Sequence, residues 1–587
     1  MKNLLLIFLL YSSILFSNDT VFVSQSGANI PPFNTWATAS KTIQHAVNNA
    51  VDGNVILINE GTYIEKIYAD KKLSFQGVDR ENCIIDITEI SHVDSFDFCF
   101  QVYAECSFRY LTIINNFQSA KHDYGIYAVD NKLIVEHCNF ERGECIATLD
   151  GNLFVNDIKT RNAFIGVSIS ATGVDTAQII IQNSQIYSER DCIRSYGGNF
   201  IIRNNIFGGD SLAGFAVRHM ISYESMIFEN NIVTGINRVC IKDNHYLYKS
   251  IIRNNLFYNC WDENDFEYVL EVVYSPDKIF ENNIILNCGG GIVQYNPDTM
   301  YTNHNLFWNV KRYASGNVKL GEREIFAEPM FVTIHENPIE SDFRLQKYSP
   351  AINAGNPEIL DKDGSISDIG PMGGLHGESY EYEDLPPSSP RITAFEFDSL
   401  SHDLRIEWER TESAPDFSHY EVHRGKQRDF NVHTNTVFSK ENDTLFTTTI
   451  PDVSDSTIYY KVVGVDNQGN KSESSKVLKV VLINKIVKVE TIQKLKYELK
   501  QNYPNPFNPE TSINYQLKNE SHVLLEILDI KGERIEMLVD ENQGVGEHSV
   551  IFDGSNLASG VYFYRLEVKD EKGKIIYSQG NKMVLLK

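Results

Sequence analysis

The phrase Ile202-Arg-Asn-Asn-Ile-Phe207 returns three times further along the chain with only small changes. The later copies are Phe228-Glu-Asn-Asn-Ile-Val233, Ile252-Arg-Asn-Asn-Leu-Phe257 and Phe280-Glu-Asn-Asn-Ile-Ile285. Their third positions lie 26, 24 and 28 residues apart. Each copy is short and β-branched, and none has the spacing of a leucine-rich repeat. The pattern therefore predicts one coil of a β-solenoid per copy, not a propeller blade or a two-helix repeat.

Stacked coils bring equivalent side chains next to each other. Strands about 4.8 Å apart would place the third-position Asn of one coil beside that of the next, and amide groups at this spacing can hydrogen-bond in a row. We therefore expect a structural amide ladder formed by Asn183, Asn204, Asn230, Asn254 and Asn282.

The repeat resembles the right-handed parallel β-helix of the pectate-lyase-like family over residues 19–377. The resemblance implies an all-β chain whose main body is such a solenoid. A helix capped by Ser40 and ending at Gly53 should cover the N-terminal end, because an open solenoid end exposes its core. The passages Ser349–Asn356 and Asp361–Gly370 look like the closing segment of secreted β-helix proteins.

Two small β-sandwich domains are expected after the solenoid. An acidic, Pro-rich stretch at 378–389 has linker composition. Residues 390–485 alternate apolar and polar positions and, with Trp408 and the Tyr459-Tyr460 pair, resemble a fibronectin type III module. Residues 486–499 are predicted to be a second linker.

Residues 500–587 carry the most specific motifs. They open with Gln501-Asn-Tyr-Pro-Asn-Pro-Phe-Asn-Pro509, continue with Leu557-Ala-Ser-Gly-Val-Tyr-Phe-Tyr564 and end with Lys582-Met-Val-Leu-Leu-Lys587. This segment is similar to the type A C-terminal sorting domain of type IX secretion. The similarity implies a Gram-negative exporter, the type IX secretion machinery as a partner, and a location outside the cell or on its outer surface.

Composition and the N-terminus agree with export. A basic Lys2 and an apolar run from Leu4 to Phe16 predict a signal peptide over residues 1–18, since the run is shorter than the roughly 20 residues that span a bilayer. No transmembrane span is expected. With 53 Lys and Arg against 78 Asp and Glu, the net charge is −25, so no general attraction to nucleic acid is expected either.

The nine cysteines are expected to be mostly buried apolar residues. Cys145, Cys192 and Cys240 share one column but lie two coils apart, which is beyond disulfide reach. Cys260 and Cys288 are one coil apart and could reach each other.

A second recurring phrase places cations in one column. In Cys192-Ile-Arg194, Ala216-Val-Arg218 and Cys240-Ile-Lys242 the middle residue should point inward and the third outward, one coil apart. His219, Asp243, Asn244 and His245 follow on the same turn. We therefore take Arg194, Arg218, His219, Asp243 and Asn244 as candidate substrate-binding residues.

This basic column suits a polysaccharide or cell-surface glycan that carries acidic groups. One hypothesis is a non-catalytic, adhesin-like glycan-binding protein. The other is a polysaccharide lyase acting on uronate-containing glycans, in which the family resemblance implies a base such as Lys242 or His245. A purely structural explanation also stays open, in which the cations are neutralised by Asp191, Glu224, Asp243 and Glu271.

One further segment has the pattern of a cation-binding loop. Asp361, Asp363, Ser365 and Asp368 place oxygen atoms around the turn at Gly364, as in calcium loops. The bidentate Glu that completes an EF-hand is missing, so an ordinary Asp/Gly turn is an equally good interpretation. Any calcium ion here would be structural, and no other cofactor is expected.

Overall fold

The structure is a computed structural model. It describes residues 20–90, 96–115, 122–171, 177–208, 214–219, 225–243, 249–260, 268–272, 278–335, 338–398, 401–409, 416–450, 456–483, 486–492, 497–502, 504–518, 521–544, 546–569 and 574–586. The predicted signal peptide therefore lies outside the described residues. The chain forms two compact units that divide after Leu385.

The first unit is a parallel β-solenoid, and one of its two long sheets has eleven strands. The repeated phrases begin in this sheet, where successive coils pair in parallel register, as in Ile202↔Phe228 and Phe228↔Ile252. Its strands are Thr20–Val23, Val55–Ile58, Leu73–Gly77, Cys106–Arg109, Leu133–Glu136, Leu153–Asn156, Gln178–Gln182, Asn199–Arg203, Ser225–Glu229, Lys249–Arg253 and Lys278–Glu281.

Among the described residues the other long sheet has nineteen strands, because most coils contribute two strands to it. The strands that directly follow the turn are Gly61–Tyr63, Cys83–Asp86, Thr112–Ile114, Asn139–Glu141, Lys159–Arg161, Ile206–Gly208, Ile232–Thr234 and Leu256–Tyr258. The next strands along each coil are Ile67–Ala69, Phe96–Val102, His122–Val129, Glu144–Leu149, Ala163–Ser170, Phe215–His219, Ile241–Asp243 and Tyr268–Val272. Three long strands cover both positions: Gln185–Tyr196, Ile284–Gln294 and Leu306–Gly316.

The turn between the two sheets explains why the repeat uses Asn. The third position of the phrase has a positive φ, between 49° and 59°. Asn tolerates this left-handed conformation better than most residues, because its short amide can hydrogen-bond locally. The residues concerned are His137, Asp157, Asn183, Asn204, Asn230, Asn254, Asn282 and His304.

The predicted amide ladder is wrong by one residue. The buried ladder is formed by the fourth position of the phrase, where each Nδ2 donates to the Oδ1 of the next coil at 2.9–3.2 Å. Its members are Asn205, Asn231, Asn255, Asn283 and Asn305, all at most 1% exposed. The left-handed residue before each of them points away from the core, so Asn204, Asn230, Asn254 and Asn282 are outside the ladder. Asn183 is outside it as well, because the residue that follows it is Ser184, whose backbone N–H donates to Asn205 Oδ1.

Three of these outward amides instead hold the closing segment of the solenoid. Asn230 Nδ2 donates to the carbonyl of Pro371 at 2.9 Å, and Asn254 Nδ2 donates to that of Asp368 at 2.9 Å. The backbone N–H of Asn356 donates to Asn282 Oδ1 at 2.8 Å. Two short sheets precede this segment: Met300–Thr302 with Val318–Leu320, and Phe331–Thr333 with Asp342–Leu345; a 3-10 helix spans Pro338–Glu340.

The predicted N-terminal helix is present as Ile43–Asn49. Its N-cap is Thr42, not Ser40, because the Thr42 side chain accepts from the backbone N–H of His45. The Glu65 carboxylate accepts from the first two helical N–H groups at 2.7 and 2.9 Å. The helix buries its apolar face on the solenoid core, as expected of a cap.

All nine cysteines are free and buried, and all belong to the described residues. The register supports the predicted two-coil spacing, since Gly166 lies between Cys145 and Cys192 in the strand pairing. Cys260 and Cys288 contact each other as thiols, and burial raises the pKa of both.

The second unit contains two antiparallel sandwiches. In the first, sheets of three and five strands enclose a core with Trp408, Tyr420 and Tyr460. The three-stranded sheet contains Arg391–Asp398, Asp403–Glu409 and Leu445–Thr449. The five-stranded sheet contains Phe417–Gly425, Val437–Glu441, Ser456–Asp466, Val477–Ile483 and Ile486–Ile492, and a 3-10 helix spans Thr434–Thr436. The strand Ile486–Ile492 pairs with Val477–Ile483, so part of the predicted linker 486–499 is sheet.

In the second sandwich, sheets of three and four strands enclose a separate core. The three-stranded sheet contains Glu498–Leu499, Glu510–Leu517 and Gly546–Asp553. The four-stranded sheet contains Ser521–Leu528, Arg534–Gln543, Gly560–Lys569 and Ile575–Leu585. The fold class is therefore that expected: an all-β chain with a solenoid followed by two small sandwiches.

Candidate functional site

The nineteen-stranded sheet has a corner in each coil where two consecutive residues both point inward. In the strand Gln185–Tyr196, Cys192 and Ile193 both lie in the core, whereas Asp191 and Arg194 on either side of them hydrogen-bond to each other. Outward side chains three residues apart thus meet across the corner. The same relation brings Tyr124 to Tyr127 and Phe215 to Arg218.

The predicted basic column is present in the strand register. Arg194 pairs with Arg218, and Arg218 pairs with Lys242, on consecutive coils. Like charges at this spacing repel each other, so the column needs compensating negative charge.

Arg194 has a nearby carboxylate. Its Nε and Nη2 atoms donate to Asp191 Oδ2 at 2.7 and 2.5 Å. Asp191 is fully buried and Arg194 is only 9% exposed. A buried pair of this kind is held tightly, because either partner alone would leave an uncompensated charge. The structural explanation therefore applies to Arg194.

Lys242 is also paired. Its Nζ atom lies 3.0 Å from Glu271 Oε1 and donates to Oε2 at 3.2 Å. Glu271 is the next residue in the same column. Glu224, another proposed neutraliser, lies outside the described residues.

Arg218 differs from both neighbours. Among the residues whose side chains are described, which do not include His219, Glu224 and Asp243, none forms a hydrogen bond or ion pair with it, and its Nε atom is buried without an acceptor there. The guanidinium lies over the ring of Phe215, 5.1 Å from the centroid, in a cation–π contact. The centre of the column is therefore a half-buried cation that is not paired with any side chain that the structure describes.

The other predicted site residues are only partly described. His219 and Asp243 end the strands Phe215–His219 and Ile241–Asp243 and pair with each other in register. Asn244 and His245 lie outside the described residues. The backbone thus brings His219 and Asp243 to the edge of the column.

The same column continues onto aromatic residues that the sequence analysis did not single out. Counting back from Arg194, the register runs through Ser168, Ala147, Tyr127 and Gln101 to Tyr68. Burial raises the pKa of Tyr124 and of Tyr127, so both are neutral phenols. The signal was present in the phrase Gly125-Ile-Tyr127, which aligns with Cys192-Ile-Arg194.

The predicted calcium loop forms a turn whose carboxylates are engaged. Asp361 accepts from the backbone N–H groups of Asp368 and Gly374, and Asp363 accepts from the backbone N–H and the hydroxyl of Ser365. Asp368 accepts from Tyr382 at 2.8 Å, and a pocket of about 30 Å³ lies beside it. These hydrogen bonds use part of the acceptor capacity of the three carboxylates, each of which has about four lone-pair sites. Calcium binding here stays an untested prediction.

Two wider observations concern the described residues. They contain no cluster of three or more His, Cys, Asp or Glu side chains arranged to hold a metal ion. They also contain no helix with the length and hydropathy needed to cross a membrane.

Comparison with protein families gives two matches. Residues 165–321 match a model described as a right handed beta helix region, and residues 501–578 match a secretion system C-terminal sorting domain. No curated protein matches the chain. The solenoid is thus a right-handed β-helix, and the sorting domain indicates type IX secretion to the cell surface or the outside.

Several solved structures are similar in fold. Pectate lyase Pel9A is 16% identical, with a TM-score of 0.38 over 60% of this chain and 97% of that one. A rhamnogalacturonan lyase is 12% identical, with a TM-score of 0.42 over 62% and 97%. The fibronectin(III)-like modules of Clostridium thermocellum CbhA are 16% identical, with a TM-score of 0.11 over 34% and 92%.

Proposed function

We propose that this exported β-helix protein binds an acidic polysaccharide along the basic column and does not cleave it. The observation that carries the proposal is the state of Arg218. Arg194 and Lys242 are neutralised by Asp191 and Glu271, whereas Arg218 makes no hydrogen bond or ion pair with any side chain that the structure describes. A cation without a partner among the described side chains, in a chain of net charge −25, can be neutralised by an anionic ligand.

The chemistry of Arg218 favours a carboxylate or sulfate group. A guanidinium presents a planar set of donors that matches such oxyanions in a bidentate manner. Because Phe215 covers one face of it, the group is partly desolvated, which strengthens a charge-assisted hydrogen bond. The paired Arg194 and Lys242 on the adjacent coils would then contact neighbouring parts of the same polysaccharide chain.

Binding without cleavage is favoured by the state of Lys242. An ammonium group that donates to Glu271 has no lone pair with which to remove a proton from a sugar ring. The lyase hypothesis therefore depends on groups other than Lys242 and is kept as an outcome of the experiment.

The test measures binding of the purified full chain to polygalacturonate, alginate and a sulfated glycan. Arg218→Gln should weaken binding of the preferred glycan by about tenfold or more, since a hydrogen bond to a charged group contributes roughly 1.5–3 kcal/mol. Arg218→Lys should retain part of the affinity. Lys249→Gln, which removes an exposed cation from the eleven-stranded sheet, is the matched control and should have no effect.

Unchanged binding in Arg218→Gln would overturn the site assignment. Absence of binding to every acidic glycan would overturn the proposed function. Ultraviolet absorbance from an unsaturated sugar product in the same mixtures would replace the non-catalytic proposal with the lyase hypothesis.

A further inference from the structure

Four tyrosines lie on the N-terminal side of the basic column. Tyr68, Tyr103, Tyr124 and Tyr127 are here called the tyrosine strip. We infer that the strip is a second contact region for the same glycan, which stacks sugar rings there while its acidic groups meet Arg218. The inference rests on the proposed function and extends it to a long, acidic polysaccharide chain.

The tyrosine strip continues the basic column along the same sheet of the solenoid. Tyr68 and Tyr127 occupy the same outward column as Arg194, Arg218 and Lys242, as the strand register shows. Tyr124 lies beside Tyr127 across the corner of its coil. A polymer that follows the column of cations towards the N-terminal coils therefore reaches the strip.

The exposure and orientation of the tyrosine rings also favour contact with a ligand. Tyr68 and Tyr103 are each 50% exposed. Tyr124 and Tyr127 stack with centroids 5.1 Å apart and planes 28° from parallel. Rings fixed by such contacts present flat apolar surfaces at little entropic cost, as binding sites for amphipathic ligands require.

Neighbouring side chains hold the two exposed rings in place. The edge of Phe98 contacts Tyr68 with centroids 4.7 Å apart. Gln101 Nε2 donates to the Tyr103 hydroxyl at 2.5 Å. The strip is thus supported from beneath and leaves ring surface accessible.

The residues between the tyrosine strip and the basic column have small side chains. Ala147 and Ser168 are the column residues between Tyr127 and Arg194. Because these side chains are small, the surface here should lie closer to the backbone than the tyrosine rings at one end and the cationic side chains at the other. Three coil steps of about 4.8 Å separate Tyr127 from Arg194 by roughly 14 Å, so only an extended ligand can contact both regions.

These features together favour a glycan over a protein partner. Sugar rings have apolar faces that can lie on neutral phenol rings, and acidic sugars also carry the charge that Arg218 requires. A polymer with both properties matches a face that is aromatic at one end and cationic at the other.

The experiment compares short and long fragments of the glycan that the full chain binds best. Long fragments should bind several-fold more tightly than short ones, because only they reach the strip. Tyr127→Ala and Tyr68→Ala should each remove most of this gain and leave short-fragment binding unchanged. Tyr127→Phe keeps the ring and should retain the gain. Tyr301→Ala removes a tyrosine that is 66% exposed and lies outside the column, and it is the matched control.

The outcomes separate the two proposals. If Arg218→Gln weakens all fragments but both alanine variants bind long fragments as well as the original chain does, the strip is not a contact region and the proposed function stands. If Arg218→Gln changes nothing, the assignment of the basic column as the binding site fails, and if no acidic glycan binds, the proposed function fails. An equal loss of short-fragment and long-fragment binding in the alanine variants would also overturn the inference, and circular dichroism spectra identify any variant that is misfolded.

Discussion

At the scale of single residues, the closing segment contains a carboxyl group in an unusual environment. Asp368 is 3% exposed. Its Oδ1 accepts the backbone N–H of Asn353 and its Oδ2 accepts the Tyr382 hydroxyl, both at 2.8 Å. Burial raises its pKa from 3.8 to about 6, and these hydrogen bonds offset only part of the effect.

This environment predicts how stability depends on pH. A carboxyl group whose pKa is raised on folding stabilises the protein when protonated, so its contribution is fully present below pH 3.8 and is lost as the pH rises through about 6. Between pH 4 and 7 the original chain should therefore lose on the order of 3 kcal/mol of stability relative to Asp368→Asn. Denaturant unfolding at several pH values, followed by circular dichroism, measures this difference.

A neighbouring carboxylate provides the control. Hydrogen bonds from Ser365 lower the pKa of Asp363, which acts in the opposite direction. Asp363→Asn should therefore leave the decline between pH 4 and 7 in place. Parallel pH profiles for the original chain and Asp368→Asn would contradict the prediction.

At the scale of the elements, adjacent asparagines have different roles in the turn between the two long sheets. Asn204 adopts the left-handed conformation and its side chain is exposed. Asn205 is buried, donates to Ile181 O and Asn231 Oδ1, and accepts from the backbone N–H of Ser184. One residue forms the turn and the next satisfies the polar groups that the turn buries.

Adjacent substitutions should therefore have very different effects. Asn205→Ala leaves several buried polar groups without partners, at about 1–3 kcal/mol each, so it should lower the free energy of unfolding by roughly 3 kcal/mol. Asn204→Gly keeps the positive φ and should change it by less than about 1 kcal/mol. Denaturant unfolding measures both. A larger loss from Asn204→Gly would show that the third position carries the ladder after all.

At the scale of the whole molecule, the solenoid and the sorting domain have separate hydrophobic cores. Domains with separate cores can unfold independently. The sorting domain should therefore serve export and contribute little to the stability of the β-helix.

Deletion of residues 500–587 tests this separation. The truncated protein should keep the unfolding transition of the β-helix, because no part of that core is removed, and should accumulate in the periplasm of the native host. Calorimetry and surface protease accessibility measure the two effects. Surface display of the truncated protein would contradict the sorting assignment, and loss of the β-helix transition would contradict the separation of cores.

Much of this molecule could be predicted from the sequence because its interactions are repeated. One coil per phrase imposes a common register, and the register alone places Arg194, Arg218 and Lys242 in one column. The sorting domain was recognisable because its motifs at both ends are specific. Local patterns that recur, or that are unique to one family, need no knowledge of the final packing.

Only the tertiary structure decided which polar groups meet. The ladder position depends on whether the left-handed residue or its successor faces inward, and both are Asn in the sequence. The pairing of Arg194 with Asp191 depends on two consecutive inward residues at the corner, which strict strand alternation does not predict. Arg218 has Phe215 at the position where Arg194 has Asp191, so it lacks the carboxylate. The sequence determined the coils and the column, whereas the different surroundings of Arg194 and Arg218 follow from side-chain directions that are set only when the chain is folded.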